Sequence, residues 1–180
     1  MKTCARGFSL IELMIVIVIL SIITTMAMPA FMQWTRNVRV RTVAESVQNG
    51  LRFAKSEAAK RNSIVELKLT DATAPSCDST AVATGHNWVV CAGGAVLQTG
   101  FGDAGGKGVA LSSDFTSVSF NGLGRTTLDQ SGAINISNES GTCEADGGNV
   151  RCLRILVSTG GKLRMCDPKR ASDDPAGCGG

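Results

Sequence analysis

One carboxylate stands alone at the head of a long apolar run. It is Glu12, in the stretch Gly7-Phe8-Ser9-Leu10-Ile11-Glu12, and no charged side chain follows from Leu13 to Trp34. An ionised carboxylate at bilayer depth costs roughly 2.5–3.5 kcal/mol on insertion scales, so Glu12 calls for a partner and a purpose. The other reactive side chains offer little to catalysis. His86 is the sole histidine, flanked by Gly85 and Asn87, and reads as a loop residue. No Ser-His-acid set and no pair of carboxylates at a working spacing stands out, so no catalytic residue is assigned. Gly102-Asp103-Ala104-Gly105-Gly106-Lys107-Gly108 imitates a phosphate loop but lacks its first glycine, Phe101 standing there. It also lacks the Ser/Thr that would meet magnesium, Gly108 standing there, and it reads as a surface loop.

Seven cysteines are many for 180 residues. Cys4 lies near the N-terminus, leaving Cys77, Cys91, Cys143, Cys152, Cys166 and Cys178. There is no C-x-x-C and only one histidine, so disulfides are favoured over a metal, and no metal or cofactor is expected. Six cysteines allow 15 pairings, among which proximity in sequence suggests Cys77–Cys91, Cys143–Cys152 and Cys166–Cys178. Such staples suit a glycine-rich domain with six Phe, two Trp and no Tyr.

Charge is unevenly spread. Residues 36–70 hold eight basic and three acidic side chains, residues 71–150 two and eight, and residues 151–170 six and one. The last cluster is Arg151, Arg154, Lys162, Arg164, Lys169 and Arg170. Lys162 and Arg164 share a face by period two if they lie on a strand, whereas Arg151 and Arg154 differ by an odd step. Phosphates could be tracked by such a patch, with salt-sensitive and sequence-independent affinity. Few aromatic side chains lie near it for base stacking.

The elements that carry these residues follow from periodicity. Phe8 to about Arg61 reads as one helix, apolar on all faces at first, then amphipathic with Val40, Val43, Val47, Leu51, Ala54 and Ala58 at steps of three and four. Some 54 residues at 1.5 Å each would make a rod of roughly 80 Å. Pro29 should bend it, since the ring clashes and an N–H is missing. Phe31 and Trp34 suit the interface at the end of the apolar run. Asn62-Ser63 ends the helix, and alternation begins at once with Val65, Leu67 and Leu69. Further strands are expected at Asn87–Cys91, Ala95–Gln98, Val109–Leu111, Ser117–Phe120, Ala133–Ile136, Leu153–Ser158 and Lys162–Cys166. Thr159-Gly160-Gly161 turns the last hairpin, and Asp71–Gly85 and Gly100–Gly108 read as loops.

Two simple accounts of the N-terminus fall short. A secretory signal peptide would be cut after its apolar region at an A-x-A-like site, and Thr24-Thr25-Met26-Ala27-Met28 offers none. A plain membrane anchor accounts for the length but not for Glu12. GFSLIELM behind a short basic leader resembles the type IV prepilin signature. That resemblance implies cleavage by prepilin peptidase between Gly7 and Phe8, methylation of the Phe8 amine, and assembly into a pilus-like filament. Glu12 would become the fifth residue of the mature chain, its carboxylate meeting the Phe8 amine of a neighbouring subunit.

The resemblance extends further, to the GspH/FimT-type minor pilins and pseudopilins. Ala54-Lys55-Ser56-Glu57-Ala58-Ala59-Lys60-Arg61-Asn62 is similar to that family's A-R-S-E-A-x-x-R-N segment, with Lys55 in place of arginine. Gly161-Lys162-Leu163-Arg164 is similar to its G-R-x-R hairpin, with Lys162 in place of arginine. The implied fold is α+β and pilin-like: a long N-terminal helix packed on an antiparallel β domain stapled by disulfides. The implied segments are a leader (1–7), a membrane or filament-core half-helix (8–34), an amphipathic half-helix (35–62) and a β domain (63–180). The implied partners are other pilins and minor pilins, prepilin peptidase and the bacterial inner membrane, the leader being cytoplasmic, before the chain joins a pilus or periplasmic pseudopilus. Its role would be structural, not enzymatic. Two alternatives stay open: a DNA-binding minor pilin for DNA uptake, with Lys162, Arg164, Lys169 and Arg170 as contacts, and the H-type pseudopilin of a type II secretion system.

Overall fold

A computed structural model describes residues 9–102 and 108–179. It divides into two compact units, one ending at Thr35 and one beginning at Arg36, while a single helix, α1 (Leu10–Arg61), supplies residues to both. Gly7 and Phe8 lie outside the described residues.

In the first unit α1 presents apolar side chains to the surroundings on every face, and it is long and apolar enough to cross a membrane. Its hydroxyls turn inward to the backbone. Ser21, Thr24 and Thr25 donate to the carbonyls of Val18, Leu20 and Ile22, so these three hydroxyls are satisfied within the helix. The helix continues through Pro29 as one element. Phe31 and Trp34 pack ring to ring at 5.8 Å.

In the second unit the amphipathic half of α1 buries Val40, Val43, Val47, Leu51, Ala54 and Ala58, the stripe expected from their spacing. It packs with two four-stranded antiparallel sheets. The first has the order β3-β2-β1-β5, built from β1 (Val65–Thr70), β2 (Asn87–Ala92), β3 (Ala95–Phe101) and β5 (Ser117–Phe120). The second has the order β4-β6-β7-β8, built from β4 (Val109–Ser113), β6 (Gly132–Asn138), β7 (Leu153–Val157) and β8 (Leu163–Cys166). All eight expected strands form; β3 runs on to Phe101, three residues beyond the alternation that marks its start.

Register sets the inner faces. Leu67 lies opposite Val90 and Val118, Leu69 opposite Trp88, and Ile134 opposite Ile155, all buried in one core with Leu51 and Phe120. Trp88 fits because glycine stands on both sides of it. A Cβ at Gly50 would come within 2.8 Å of the indole, and a Cβ at Gly100 would overlap it. The helix ends at Asn62, whose φ of 47° is left-handed. Ser63 N donates to Ala58 O at 3.2 Å and Asn62 N to Ala59 O at 3.4 Å, the paired bonds of a Schellman cap.

Candidate assembly and binding sites

Glu12 lies in the first turn of α1, one turn beyond Ser9, whose carbonyl accepts from Glu12 N at 3.1 Å and Leu13 N at 3.2 Å. Its carboxylate is exposed, and exposed apolar side chains follow it on all sides of the helix. It is the sole acid from residue 9 to Asp or Glu positions beyond Arg41, the next being Glu45. A helix of this kind is stable only in lipid or against other apolar helices, and there an unpaired carboxylate is costly. A cation delivered by another subunit would remove that cost.

The segments resembling the family motifs meet in space. Lys55, near the end of α1, donates from Nζ to the Gly161 carbonyl in the β7–β8 turn at 2.8 Å. The turn comes close because Gly124 and Gly161 lack Cβ atoms; one on Gly161 would overlap the Gly124 carbonyl. Glu57 is buried on the same helix and bonded by Arg61 Nε at 2.7 Å and Lys60 Nζ at 3.3 Å. The Arg61 hydrogen bond, opposed by burial and reinforced by Lys60, holds the Glu57 carboxyl below the usual range.

Three disulfides tie loops to the sheets. Cys77–Cys91 holds the loop after β1 on β2, where Lys68 Nζ also donates to Cys77 O at 2.7 Å. Cys143–Cys152 closes the segment before β7. Cys166–Cys178 folds the C-terminal segment back beside β8, where Asp167 N donates to Ala176 O at 2.8 Å.

That fold-back decides the state of the C-terminal cations. Arg164 faces outward opposite Leu156, but its guanidinium donates to the carbonyls of Gly177 and Gly179. Arg151 meets the buried Asp167 at 2.9 Å, Lys169 meets Glu144 at 2.6 Å, and Arg170 meets Asp174 at 2.9 Å. Asp174 sits below the usual carboxyl range, first through the Ala176 N–H and then through Arg170. Arg154 donates to Asn135 Oδ1 at 2.6 Å. Lys162 is exposed, and among the described residues its ammonium has no partner. Lys162 and Arg164 line one groove of about 320 Å³ together with Asp114, Ala133 and Leu156. The pairing of four of these cations with acids or carbonyls has no periodic signal in the sequence.

His86 is better anchored than a loop histidine need be. Its Nδ1 lies 3.2 Å from Asp71 Oδ1 and its Nε2 3.5 Å from Glu139 Oε1. Among the described residues no group of His, Cys, Asp and Glu is arranged to hold a metal ion.

Comparison with known proteins places these features. A family model described as "Type II transport protein GspH" matches residues 43–161, and one described as "Prokaryotic N-terminal methylation motif" matches residues 2–28. The fold is similar to the type IV minor pilin FimU of Pseudomonas aeruginosa (strain PAO1) in two crystal forms, each 18% identical over 77% of this chain. The TM-scores are 0.54 and 0.51, covering 94% and 98% of those chains. At that identity the likeness speaks for the fold. No curated protein matches the sequence.

Proposed function

Since the chain belongs to the GspH family of pilin-like proteins, we propose that it is a minor pilin that primes or supports assembly of a type IV pilus. One observation carries the reading: a helix half with apolar side chains exposed on every face and a single carboxylate, Glu12, in its first turn. In this account residues 1–7 are a cytoplasmic leader, and the apolar segment that follows is held in the inner membrane until assembly. Prepilin peptidase cuts between Gly7 and Phe8 and the Phe8 amine is methylated, keeping its positive charge. On entering the filament, Glu12 meets the amine of a neighbouring pilin. Two charges that an apolar core penalises are thereby satisfied together.

The same steps serve an H-type pseudopilin of a type II secretion system, and the assembling machinery alone separates the two. DNA capture is the less supported alternative, because Arg164, Lys169 and Arg170 are engaged within the chain and Lys162 stands without a partner. The test is Glu12→Ala in cells that build the filament. Processing at Gly7 should continue while incorporation into sheared filaments falls at least tenfold, as expected when a desolvated charge is left unpaired. Normal processing with normal incorporation would refute the pairing.

A further inference from the structure

At the C-terminal end of α1 the second unit presents two large apolar side chains that its own core does not use: Leu123, 85% exposed, and Ile64, 62% exposed. A turn held on three sides brings them together. Asn121 Oδ1 accepts from Leu123 N at 3.0 Å and Arg125 N at 3.1 Å, which shapes the turn itself. Gly122 packs on Asn62, where a Cβ would overlap the asparagine side chain, and this seats the turn beside Ile64. Gly124 touches Lys55 and Gly161, and Thr126 Oγ1 donates to the carbonyls of Ser158 and Thr159, so the helix end and the β7–β8 turn hold the other flank. Single exposed apolar side chains are ordinary on a protein surface. Two side by side on so constrained a turn form a contact surface that loses little freedom on binding.

The charges around the pair have one sign. Lys60 and Arg61 end the helix, Arg125 follows Leu123 by two residues, and Lys162 follows Gly161; all four are exposed. Among the described residues the side chains of Arg125 and Lys162 have no partner. The acids nearest in sequence are engaged: Glu57 is buried and bonded by Arg61 and Lys60, and Glu66 lies 3.7 Å from Lys68. An aliphatic pair ringed by uncompensated cations selects a surface that is apolar at its centre and carries carboxylates at its rim. A phosphate backbone would meet the cations but leave Leu123 and Ile64 unused, so a protein fits this surface better than a nucleic acid. A minor subunit is surrounded in its filament by pilins other than itself, which makes the partner a different subunit.

We propose that the Leu123–Ile64 surface, with Arg125 and Lys162 at its rim, docks on an acidic, apolar face of a different pilin subunit in the filament. The proposal rests on the assembly reading above. The test uses the full-length chain in filament-forming cells, with a photo-crosslinking p-benzoylphenylalanine at Leu123 and, in a parallel strain, at Ile19. Adducts in sheared filaments are identified by tandem mass spectrometry. Position 123 should capture a different pilin, at a segment that carries Asp or Glu. Arg125→Glu with Lys162→Glu in the probe-bearing chain should lower that yield roughly fivefold, as complementary exposed charges predict, while the yield at Ile19 stays unchanged. Replacing the captured segment's carboxylates with lysine should restore the yield at 123, which separates a lost contact from a lost fold. Crosslinking at Ile19 with none at 123 overturns the proposal and leaves assembly standing. Capture at 123 of a second copy of this chain, of lipid or of DNA does the same, as does a yield that the two reversals neither lower nor restore. Silence at both positions overturns the proposal and the assembly reading together.

Discussion

Lys55→Met should loosen the β7–β8 turn and lower the stability of the second unit by a calculable amount. Lys55 Nζ donates to Gly161 O at 2.8 Å from a half-buried position, the two residues lying 106 apart in sequence. A hydrogen bond from a charged donor contributes roughly 1.5–3 kcal/mol, and partial exposure places this one near the lower bound. Methionine keeps the stem that packs on Gly124, whose Cβ, if it had one, would lie 2.9 Å from Lys55 Cε, so the substitution removes the bond and little packing. For a unit of about 145 residues, a loss of about 1.5 kcal/mol lowers the melting temperature by roughly 5 °C. Urea and thermal unfolding of the segment from Arg36 onward measure the loss. Hydrogen exchange locates it: the Gly161 and Thr126 amides, bonded to Ser158 O and Thr159 O, should exchange faster relative to those of β1 and β2. A loss below about 0.5 kcal/mol, within the range of neutral surface changes, would refute the claim that this bond joins helix and hairpin.

Other perturbations read other parts of the structure. Gly100→Ala should destabilise by about 2 kcal/mol or more because its Cβ would overlap the Trp88 indole, and Trp88→Leu in the same chain should recover part of that loss; equal stability of wild type and Gly100→Ala would contradict the packing. The Glu57 carboxyl titrates below its unfolded value, so its contribution to stability is present above the ordinary glutamate range and is lost as pH falls through the lowered folded value. Glu57→Gln should flatten that acid limb of the stability–pH curve, and an unchanged limb would argue against it. The denatured, unreduced segment from Arg36 onward should titrate no thiol. Replacing Cys77 and Cys91 with serine should cost about 3 kcal/mol for a loop of this length, and two titrating thiols in the wild-type chain would contradict the pairing.

How far the fold was legible depended on whether a signal is local. The strands were readable because alternation in Val65, Leu67 and Leu69, or in Leu153, Ile155 and Val157, places buried residues at every second position. The helix stop was readable because asparagine tolerates the left-handed φ that Asn62 adopts. β3 runs past the expected Ala95–Gln98 because Gly100, which carries no strand signal of its own, belongs in the strand to make room for Trp88. Partners far apart in sequence left no such trace. Period two put Arg164 on one face with Lys162, but nothing in it indicated that the C-terminal segment would return to accept its hydrogen bonds. Lys55 with Gly161, and Arg151 with Asp167, were hidden for the same reason. A cluster of cations counted along the chain thus overstated the free positive charge on the surface.

The central claim is that the apolar head of α1 is a processed filament-core segment. Mass spectrometry of the N-terminal peptide from sheared filaments measures it most directly. The account predicts a chain that begins at Phe8, with a methylated and still basic amine four residues before Glu12. A chain that begins at Met1, or one cut near Ala27 with the apolar run removed, would contradict it.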